Sequence, residues 1–290
     1  MKLIKQSFEF INQTDFSLVG IKKHIERCAR VSYKSEDKIT DTSYEKFVNM
    51  LESRGHDRPL EFGTVHLKMP YYIYSTVIDT LTYLDMFNQA WVKVTYENGN
   101  MYITTNYRYY LAIKKVYPDI DEYFTEEDNK YYPKRYTVHM ILDRGVMDEF
   151  RTHVGLSHLA ESTRYCNYSK DKFGNELTFI KPCWLDIPLG DYGISSLPGD
   201  NILGLSGGTM VFIDSLLDAE DYYLTLLSQG WTPQQARSVL PLGIKSELIS
   251  CGCEDSWENF FKRRDAPDAH PMAQEIAKPM HEEFLKLTKV

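Results

Sequence analysis

The segment EFRTHVGLSHLAESTRY, residues 149–165, constrains this chain most, because it carries many polar side chains at helical spacing. Four of them recur at steps of four, four and three residues, which would align them on one face of a helix: His153, Ser157, Glu161 and Arg164. An imidazole, a hydroxyl, a carboxylate and a guanidinium on one face could bind an anion and a heterocycle together. The alternative is a solvent-facing helix whose polar residues have this spacing by chance.

Composition and charge exclude several classes of protein. The chain has 290 residues, 43% hydrophobic and 26% charged, which is ordinary for a globular protein with a buried core. No apolar run reaches about 18 residues, the length that a membrane helix requires, and the N-terminal segment lacks the apolar stretch of a secretion signal. We therefore expect a cytoplasmic protein without a membrane partner. The net charge of −8, without a basic stripe, argues against nucleic-acid binding.

The five cysteines favour reduced thiols over a disulfide framework, because their number is odd and their spacing irregular. Cys251 and Cys253 are separated by one residue rather than the two of a common zinc motif, and no second pair accompanies them. We therefore expect no metal site.

The pattern of apolar residues predicts a mixture of helices and strands. Helices are predicted over residues 17–29, 43–53, 73–90, 210–228 and 267–288, and strands over 64–69 and 136–142. Residues 186–208, rich in Gly, Pro and Ser, are predicted to form a long loop. Two caps, Thr232-Pro233 and Ser256, predict the starts of further helices in QQARSVL and SWENFFKRR.

The dipeptide Asn98-Gly99 lies between two β-prone runs and predicts a hairpin. Alternation would place Thr104, Asn106 and Arg108 on one face of its second strand. This hairpin could pack near a functional site, lie at an oligomer interface or serve as a structural edge strand.

Five separated segments give the chain a resemblance to a known family: ARVS at 29–32, PLEFGT at 59–64, ESTRY at 161–165, ARSVLP at 236–241, and WENFFKRR with AHP at 257–271. In order and spacing they resemble the flavin-dependent thymidylate synthases (ThyX), apart from an insertion at about 70–135. The resemblance implies a single domain over 1–290 with an α/β (α+β) fold, in which helices flank a central, mainly antiparallel sheet. It also implies a homotetramer with active sites shared between subunits.

The resemblance further implies a reaction. Enzymes of this family transfer a methylene group from a folate to C5 of dUMP, and reduced FAD supplies the hydride without a cysteine nucleophile. For this chain the expected cofactor is FAD, the carbon donor is methylenetetrahydrofolate and the reductant is NADPH. The expected substrate is a pyrimidine deoxynucleotide monophosphate, with dUMP converted to dTMP.

Matching positions carry the family's roles onto this sequence. Ser162, Arg164 and Arg237 would bind the nucleotide, its phosphate facing the guanidinium groups; the alternative for Arg237 is a surface ion pair. Arg264 would contact the pyrimidine and stabilise negative charge that develops on it. The expected catalytic group is Arg264 with Ser162 and His153. The expected flavin contacts are Ser32, Glu161, Asn259, His153 and Ser157, although Asn259 alone would be a solvent-facing residue in a helix.

The chain departs from the family on the flavin side. The family's Arg-His-Arg signature becomes Thr152, His153 and Val154, so that only the histidine is kept. Losing charge-assisted bonds to a phosphate should cost roughly 1.5–3 kcal/mol each, which weakens FAD binding about tens-fold. Arg151 lies about 100° away around a helix and could replace the first arginine only if the helix rotated or slipped. Two further flavin-side positions are altered, to Phe62 and Cys253.

Three hypotheses follow. The first is the thymidylate synthase reaction with FAD held in a modified way. The second is 5-hydroxymethylation of dUMP or dCMP, in which water traps the transferred carbon and Glu149 accepts a hydrogen bond from a cytosine amino group. The third is a nucleotide-binding paralogue without catalysis. Retention of Arg264, Ser162, Glu161 and His153 favours an enzyme.

Overall fold

The computed structural model describes residues 1–73, 91–164, 166–170, 176–193 and 207–289. These residues form a mixed α/β fold in which mainly antiparallel sheets are flanked by helices, which confirms the predicted fold class. The described helices are α1 Leu18–Val31, α2 Ser43–Ser53, α3 Tyr107–Val116, α4 Arg144–Phe150, α5 Gly207–Ser228, α6 Pro233–Ala236, α7 Glu254–Arg264 and α8 Pro271–Thr288. The described strands are β1 Lys2–Ile4, β2 Ser7–Phe10, β3 Thr64–Pro70, β4 Lys93–Glu97, β5 Asn100–Asn106, β6 Phe124–Thr125, β7 Arg135–Asp143, β8 Ser157–Ala160, β9 Thr178–Ile180, β10 Gly190–Asp191 and β11 Lys245–Cys253.

The sheet in the order β2-β7-β11-β8 is antiparallel throughout and carries the candidate site. Strands β7 and β11 pair along their whole length, with Lys245 opposite Asp143 at one end. Alternate apolar residues of β7 pack with apolar residues of α7 and α8 into one buried cluster that includes Met140 and Trp257. Burying a large apolar side chain contributes roughly 1.5–3 kcal/mol, so this cluster fixes the helices on the sheet.

The predicted insertion supplies most of a second sheet, in the order β4-β5-β3-β6. Asn98 and Gly99 have φ angles of 49° and 73° and form the tight turn between β4 and β5, which confirms the predicted hairpin. One face of this sheet packs on α1 and α2. Gly63, just before β3, lies where a Cβ would come within 2.7 Å of Ile21, so the PLEFGT segment approaches α1 closely.

A third, small sheet has the order β10-β1-β9 and contains a parallel pair, β1 with β9. Its strands and α5 contribute to one buried cluster.

The predicted helix through residues 149–165 is wrong. Helix α4 ends at Phe150, and Ser157–Ala160 forms β8, which pairs with β11 and places Ser157 opposite Cys251. A Cβ at Gly155 would lie 2.7 Å from the Ser256 hydroxyl, so the backbone there packs tightly on α7. Pairing with a distant strand overrides the helical spacing, because whether a short segment forms a strand depends on the tertiary contacts it makes more than on its local periodicity.

Other predicted elements differ in detail. Helix α7 begins at Glu254 with Cys253 as its N-cap, not at Ser256, and QQARSVL divides into α6 and a 3-10 turn. Arg108 does not share a strand face with Thr104 and Asn106, because β5 ends at Asn106, which caps α3. The C-terminal helix begins at Pro271 rather than at residue 267. The helices predicted over residues 17–29, 43–53 and 210–228 and both predicted strands are confirmed within a few residues. Nearly all of the predicted helix 73–90, and the loop from residue 194 to 206, lie outside the described residues.

All five cysteines lie in the described part of the chain, and no disulfide joins them. None of the described helices combines the length and the apolar character needed to cross a membrane. The organisation as one domain stays a prediction.

Candidate active site

The ESTRY segment leaves the end of β8 and meets the turn that follows α1. The Ser162 amide donates to the Ser32 carbonyl oxygen at 3.3 Å, and the Arg164 amide donates to the Ser162 hydroxyl at 3.3 Å. These bonds bring together two segments that lie about 130 residues apart in the chain. Ser162 thus sits beside the ARVS motif, at the start of an exposed turn.

Two exposed arginines flank this turn. Arg164 Nε donates to Gln234 Oε1 at 3.1 Å, and Arg237 Nη1 donates to Thr163 Oγ1 at 3.4 Å. Helix α6, which carries Gln234, is held by a capping box that starts at Thr232. Arg237 forms no salt bridge with any described carboxylate, so its alternative assignment as a surface ion pair finds no partner here. Both guanidinium groups face the same turn as Ser162.

A buried ionic cluster forms around Glu161, the first residue of ESTRY. We use this name for Lys34, Glu161, Lys245 and Glu247. Lys245 Nζ lies 2.8 Å from Glu161 Oε2 and 2.5 Å from Glu247 Oε1, and Lys34 also binds Glu247. Tyr168 donates its hydroxyl to Glu161 Oε1 at 3.0 Å. The two carboxylates are almost fully buried, so their charges require these partners.

The titration of this cluster follows from its contacts. Burial alone would raise the pKa of Glu247, but a hydrogen bond with His139 and the charges of Lys245 and Lys34 lower it well below its ordinary value. Burial would lower the pKa of Lys245, and the charges of Glu161 and Glu247 raise it instead. Lys245 is therefore charged at neutral pH.

Arg264, at the end of α7, is held by the last turn of α4 and the residues that follow it. Its Nε donates to His153 Nε2 at 2.9 Å, Nη1 to Glu149 Oε2 at 2.8 Å, and Nη2 to the Glu149 carbonyl at 2.7 Å and to Thr152 Oγ1 at 3.1 Å. Four of its five N–H groups thus have partners. The fifth, on Nη1, has none among the described residues and is available to a ligand.

Burial and the contact with Arg264 together keep the His153 ring neutral. Burial, and then the charge of Arg264, lower the pKa of His153 to about 4. The ring is neutral at physiological pH and accepts through Nε2, so it orients the guanidinium rather than carrying charge. The neighbouring His158, whose pKa burial also lowers to about 4, is bonded to Ser250 and to the His153 carbonyl.

The altered signature positions give no replacement cation. Thr152 donates to the Glu149 carbonyl and accepts from Arg264, and the side chain of Val154 is 85% exposed. Arg151 pairs with Asp148 at 3.6 Å. The other two altered positions, Phe62 and Cys253, are buried, and burial raises the pKa of Cys253 to about 11, so its thiol is a poor nucleophile.

Ser157 and the PLEFGT motif meet at another buried carboxylate, that of Glu61. The Ser157 hydroxyl donates to Glu61 Oε2 at 2.6 Å, and Arg108 Nη1 donates to Glu61 Oε1 at 2.6 Å. Arg108 comes from the insertion, which also contacts this motif through the backbone, where the Tyr107 amide donates to the Gly63 carbonyl at 2.8 Å. The buried Ser157 hydroxyl therefore has Glu61 as its hydrogen-bond partner.

Two polar groups suit a bound flavin. The Ser32 hydroxyl oxygen is buried and has no hydrogen-bond partner among the described residues, so a ligand that bonded to it would remove an unfavourable buried group. Asn259 is exposed on α7, between the first turn of that helix and Arg264. Ser32 and Asn259 thus fit a flavin as hydrogen-bonding residues, whereas Thr152 and Val154 at the signature positions carry no positive charge for its phosphates.

Hydrogen bonds and adjacency along the chain thus bring eight of the predicted site residues into two groups, whereas Ser157, which is bonded to Glu61, and Asn259 belong to neither. The first, which we call the ESTRY group, is Ser32, Glu161, Ser162, Arg164 and Arg237. The second, the Arg264 group, is Glu149, His153 and Arg264. Sequence reasoning did not identify Lys245, Glu247 or Glu61. The Lys-Ser-Glu alternation that opens β11 was the available signal for the first two, since residues i and i+2 of a strand share a face.

Residues 134–288, more than half of the chain, match the family model for thymidylate synthase complementing proteins. The chain belongs to this family, the flavin-dependent thymidylate synthases.

Two similar solved structures are of the UMP/dUMP methylase PolB from Streptomyces cacaoi, bound with 5-Br UMP and with 5-Br dUMP. Their sequences are 15% and 16% identical to this chain. The matches cover 99% of this chain and 92% and 93% of the other chains, and both have a TM-score of 0.44. No curated protein matches the sequence.

Proposed function

We propose that this protein transfers one carbon from methylenetetrahydrofolate to C5 of a pyrimidine deoxynucleotide monophosphate, converting dUMP to dTMP with FAD as cofactor and NADPH as reductant. Family membership supports the class of reaction. The observation that carries the proposal is the pair of exposed arginines, Arg164 and Arg237, on one turn with Ser162.

In this proposal three members of the ESTRY group bind the phosphate: Ser162, Arg164 and Arg237. Each guanidinium can form two parallel hydrogen bonds to phosphate oxygens, and Ser162 offers a hydroxyl donor between them. The side chains of Gln234 and Thr163, which accept from Arg164 and Arg237, are neutral, so a dianionic phosphate can replace these two bonds without breaking an ion pair at either of them.

The Arg264 group binds the base. The remaining Nη1 N–H of Arg264 donates to a carbonyl oxygen of the pyrimidine and stabilises negative charge as C5 becomes nucleophilic. His153 keeps the guanidinium in place through Nε2 and stays neutral, so it does not compete for that charge. Glu149 binds Nη1 through Oε2, which leaves a carboxylate oxygen to accept from a donor on the base.

FAD, when bound, supplies the hydride that completes the methyl group. Ser32 and Asn259 would hold it through their hydroxyl and amide groups, with Glu161 and Ser157 shaping the surrounding pocket. His153 contributes by fixing the loop at residues 152–154 through Arg264.

The two groups belong to one active site in a homotetramer. Within the subunit no described hydrogen bond joins the ESTRY group to the Arg264 group. We propose that each site takes the phosphate-binding arginines and the base-binding arginine from neighbouring subunits, so that the isolated subunit would be inactive.

The test is to incubate the purified protein with methylenetetrahydrofolate, FAD, NADPH and either dUMP or dCMP, and to identify the products by mass. A methylated dUMP supports the proposal. Tight nucleotide binding without turnover contradicts it and indicates a non-catalytic nucleotide-binding protein, for which no yellow colour on purification is also expected.

A hydroxymethylated product is the second candidate. It is favoured by the exposed Val154 at a signature position, which offers nothing polar to the flavin, and by the carboxylate of Glu149 beside the base-binding arginine. In that reaction water adds to the exocyclic methylene instead of hydride. The same incubation with dCMP distinguishes the two, because the masses of the two products differ by one oxygen.

A further inference from the structure

The ionic cluster connects three segments of the chain at one point. Lys34 follows the ARVS motif, Glu161 opens ESTRY, and Lys245 and Glu247 begin β11, which follows ARSVLP. Lys34 has a φ of 49°, in the left-handed region that a side chain rarely adopts, so the fold tolerates strain at the residue that reaches Glu247. These are the segments that carry Ser32, Ser162 and Arg237.

Lys245 is the only member of the cluster that binds both carboxylates. Its Nζ bridges Glu161 and Glu247, and only 15% of its side chain is exposed. Without it, Glu161 would keep the Tyr168 hydroxyl but would lose its cation, in a place where its side chain is fully buried. An uncompensated buried carboxylate either takes up a proton or moves toward water.

Movement of Glu161 would displace the nucleotide-binding turn. Glu161 directly precedes Ser162, and its amide donates to the Glu247 carbonyl at 2.8 Å. The segment is therefore fixed to β11 by a backbone bond and by the Lys245 bridge at the same residue. A shift of about 1 Å in a binding group is enough to reduce its contribution greatly.

We propose that Lys245 is a positioning residue for nucleotide binding: by bridging Glu161 and Glu247 it holds ESTRY so that Ser162 and Arg164 face the phosphate. This inference rests on the proposed function, because it assigns the phosphate to that turn. Lys245 itself does not contact the nucleotide.

The experiment measures the Kd of dUMP by calorimetry, together with the Tm, for the whole protein and four variants. K245M removes the charge and K245R keeps it. The double variant K245M/E161Q removes both charges of one pair, so that no buried carboxylate is left unpaired at Glu161. K134M removes another paired lysine, bound to Asp128 at the surface, and serves as the matched control.

K245M is expected to weaken dUMP binding by about 10- to 100-fold, which is the loss of one charge-assisted contact. K245R and K245M/E161Q are expected to recover most of the affinity, and K134M to bind like the unchanged protein. Recovery by the double variant separates positioning from direct contact, since a lysine that touched the phosphate could not be replaced by removing Glu161.

Three results would overturn the inference. If K245M lowers the Tm but leaves the Kd of dUMP unchanged, Lys245 is only structural. If K245M/E161Q binds as weakly as K245M, the bridge to Glu161 does not position the turn. If the unchanged protein binds neither dUMP nor dCMP, the proposed function fails, and this inference fails with it.

Discussion

The ESTRY group and the Arg264 group hold their arginines in opposite ways. Arg164 and Arg237 are exposed and donate to the neutral side chains of Gln234 and Thr163, in a segment that begins at a cluster whose buried charges neutralise one another. Arg264 is largely buried and is bound by a carboxylate, an imidazole, a hydroxyl and a carbonyl. The first pair suits an anionic ligand, and the second arginine suits the edge of a polar ring.

The comparison shows where the departures from the family act. Thr152 takes the place of a signature arginine and accepts a bond from Arg264, so the altered signature now helps to hold Arg264. A second guanidinium at residue 152 would repel Arg264 at hydrogen-bond distance. The ESTRY group keeps the family residues. The five predictions below test this division, from the largest expected effect to the smallest.

Replacing Arg264 should have the largest effect. R264A removes the donor to the base and leaves Glu149 without its cation, so we expect kcat/KM to fall by about 100- to 1000-fold or more. Steady-state kinetics with dUMP measure this, and R263A, which alters the exposed neighbour, is the control. Near-normal activity in R264A would remove the assignment of the pyrimidine contact.

Replacing the exposed arginines should weaken nucleotide binding. R164A and R237A each lose charge-assisted bonds to the phosphate, and we expect the Kd of dUMP to rise by about 10- to 100-fold in each. Deoxyuridine, which has no phosphate, should bind both variants as it binds the unchanged protein. R151A, on an arginine paired with Asp148, is the control. An equal loss of deoxyuridine binding would place these arginines away from the phosphate.

Restoring a signature arginine should strengthen flavin binding. Val154 is 85% exposed, so V154R needs no rearrangement of the core, and we expect FAD to bind about tens-fold more tightly. Fluorescence titration of FAD measures the change. V154Q, whose side chain is long and polar but neutral, should increase the affinity for FAD only slightly. Unchanged affinity in V154R would show that this position no longer faces the cofactor.

Replacing Glu149 by its amide tests the choice of base. A glutamine still fills the space beside Arg264 but also carries donor groups, so E149Q should bind dCMP about tenfold more weakly relative to dUMP. The ratio of the two dissociation constants is the readout, because a general loss of structure would lower both affinities. An unchanged ratio contradicts a contact between Glu149 and the base.

The smallest effect concerns stability and pH. The pKa of His153 is lowered to about 4 in the folded state from an ordinary value of 6.5, so the unfolded chain binds the proton first as the pH falls. The stability that the neutral ring contributes is present above pH 6.5 and is lost as the pH falls toward 4, by about 1 kcal/mol between pH 6.5 and 5.5. Urea unfolding measured at several pH values should show a smaller decrease in the free energy of unfolding for H153Q than for the unchanged protein as the pH falls. H56Q, on an exposed histidine, should keep the original slope.

Much of the local structure follows from the sequence. Asn98-Gly99 gives the hairpin turn because both residues tolerate a positive φ. Helices α1, α2 and α5 follow from their apolar periodicity, and the family segments identified the residues that gather around Ser162 and Arg264. These features depend on neighbours within a few positions along the chain, which the sequence displays directly.

The tertiary structure alone decided the rest. The helical spacing of His153, Ser157, Glu161 and Arg164 did not survive, because β8 pairs with a strand some 90 residues later and a strand has period two. The same pairing placed Glu161 against Lys245 and separated it from His153, which turned toward Arg264. Which polar residues share a site thus depended on strand pairing between distant segments, since burial and pairing of charges are settled only when those segments meet.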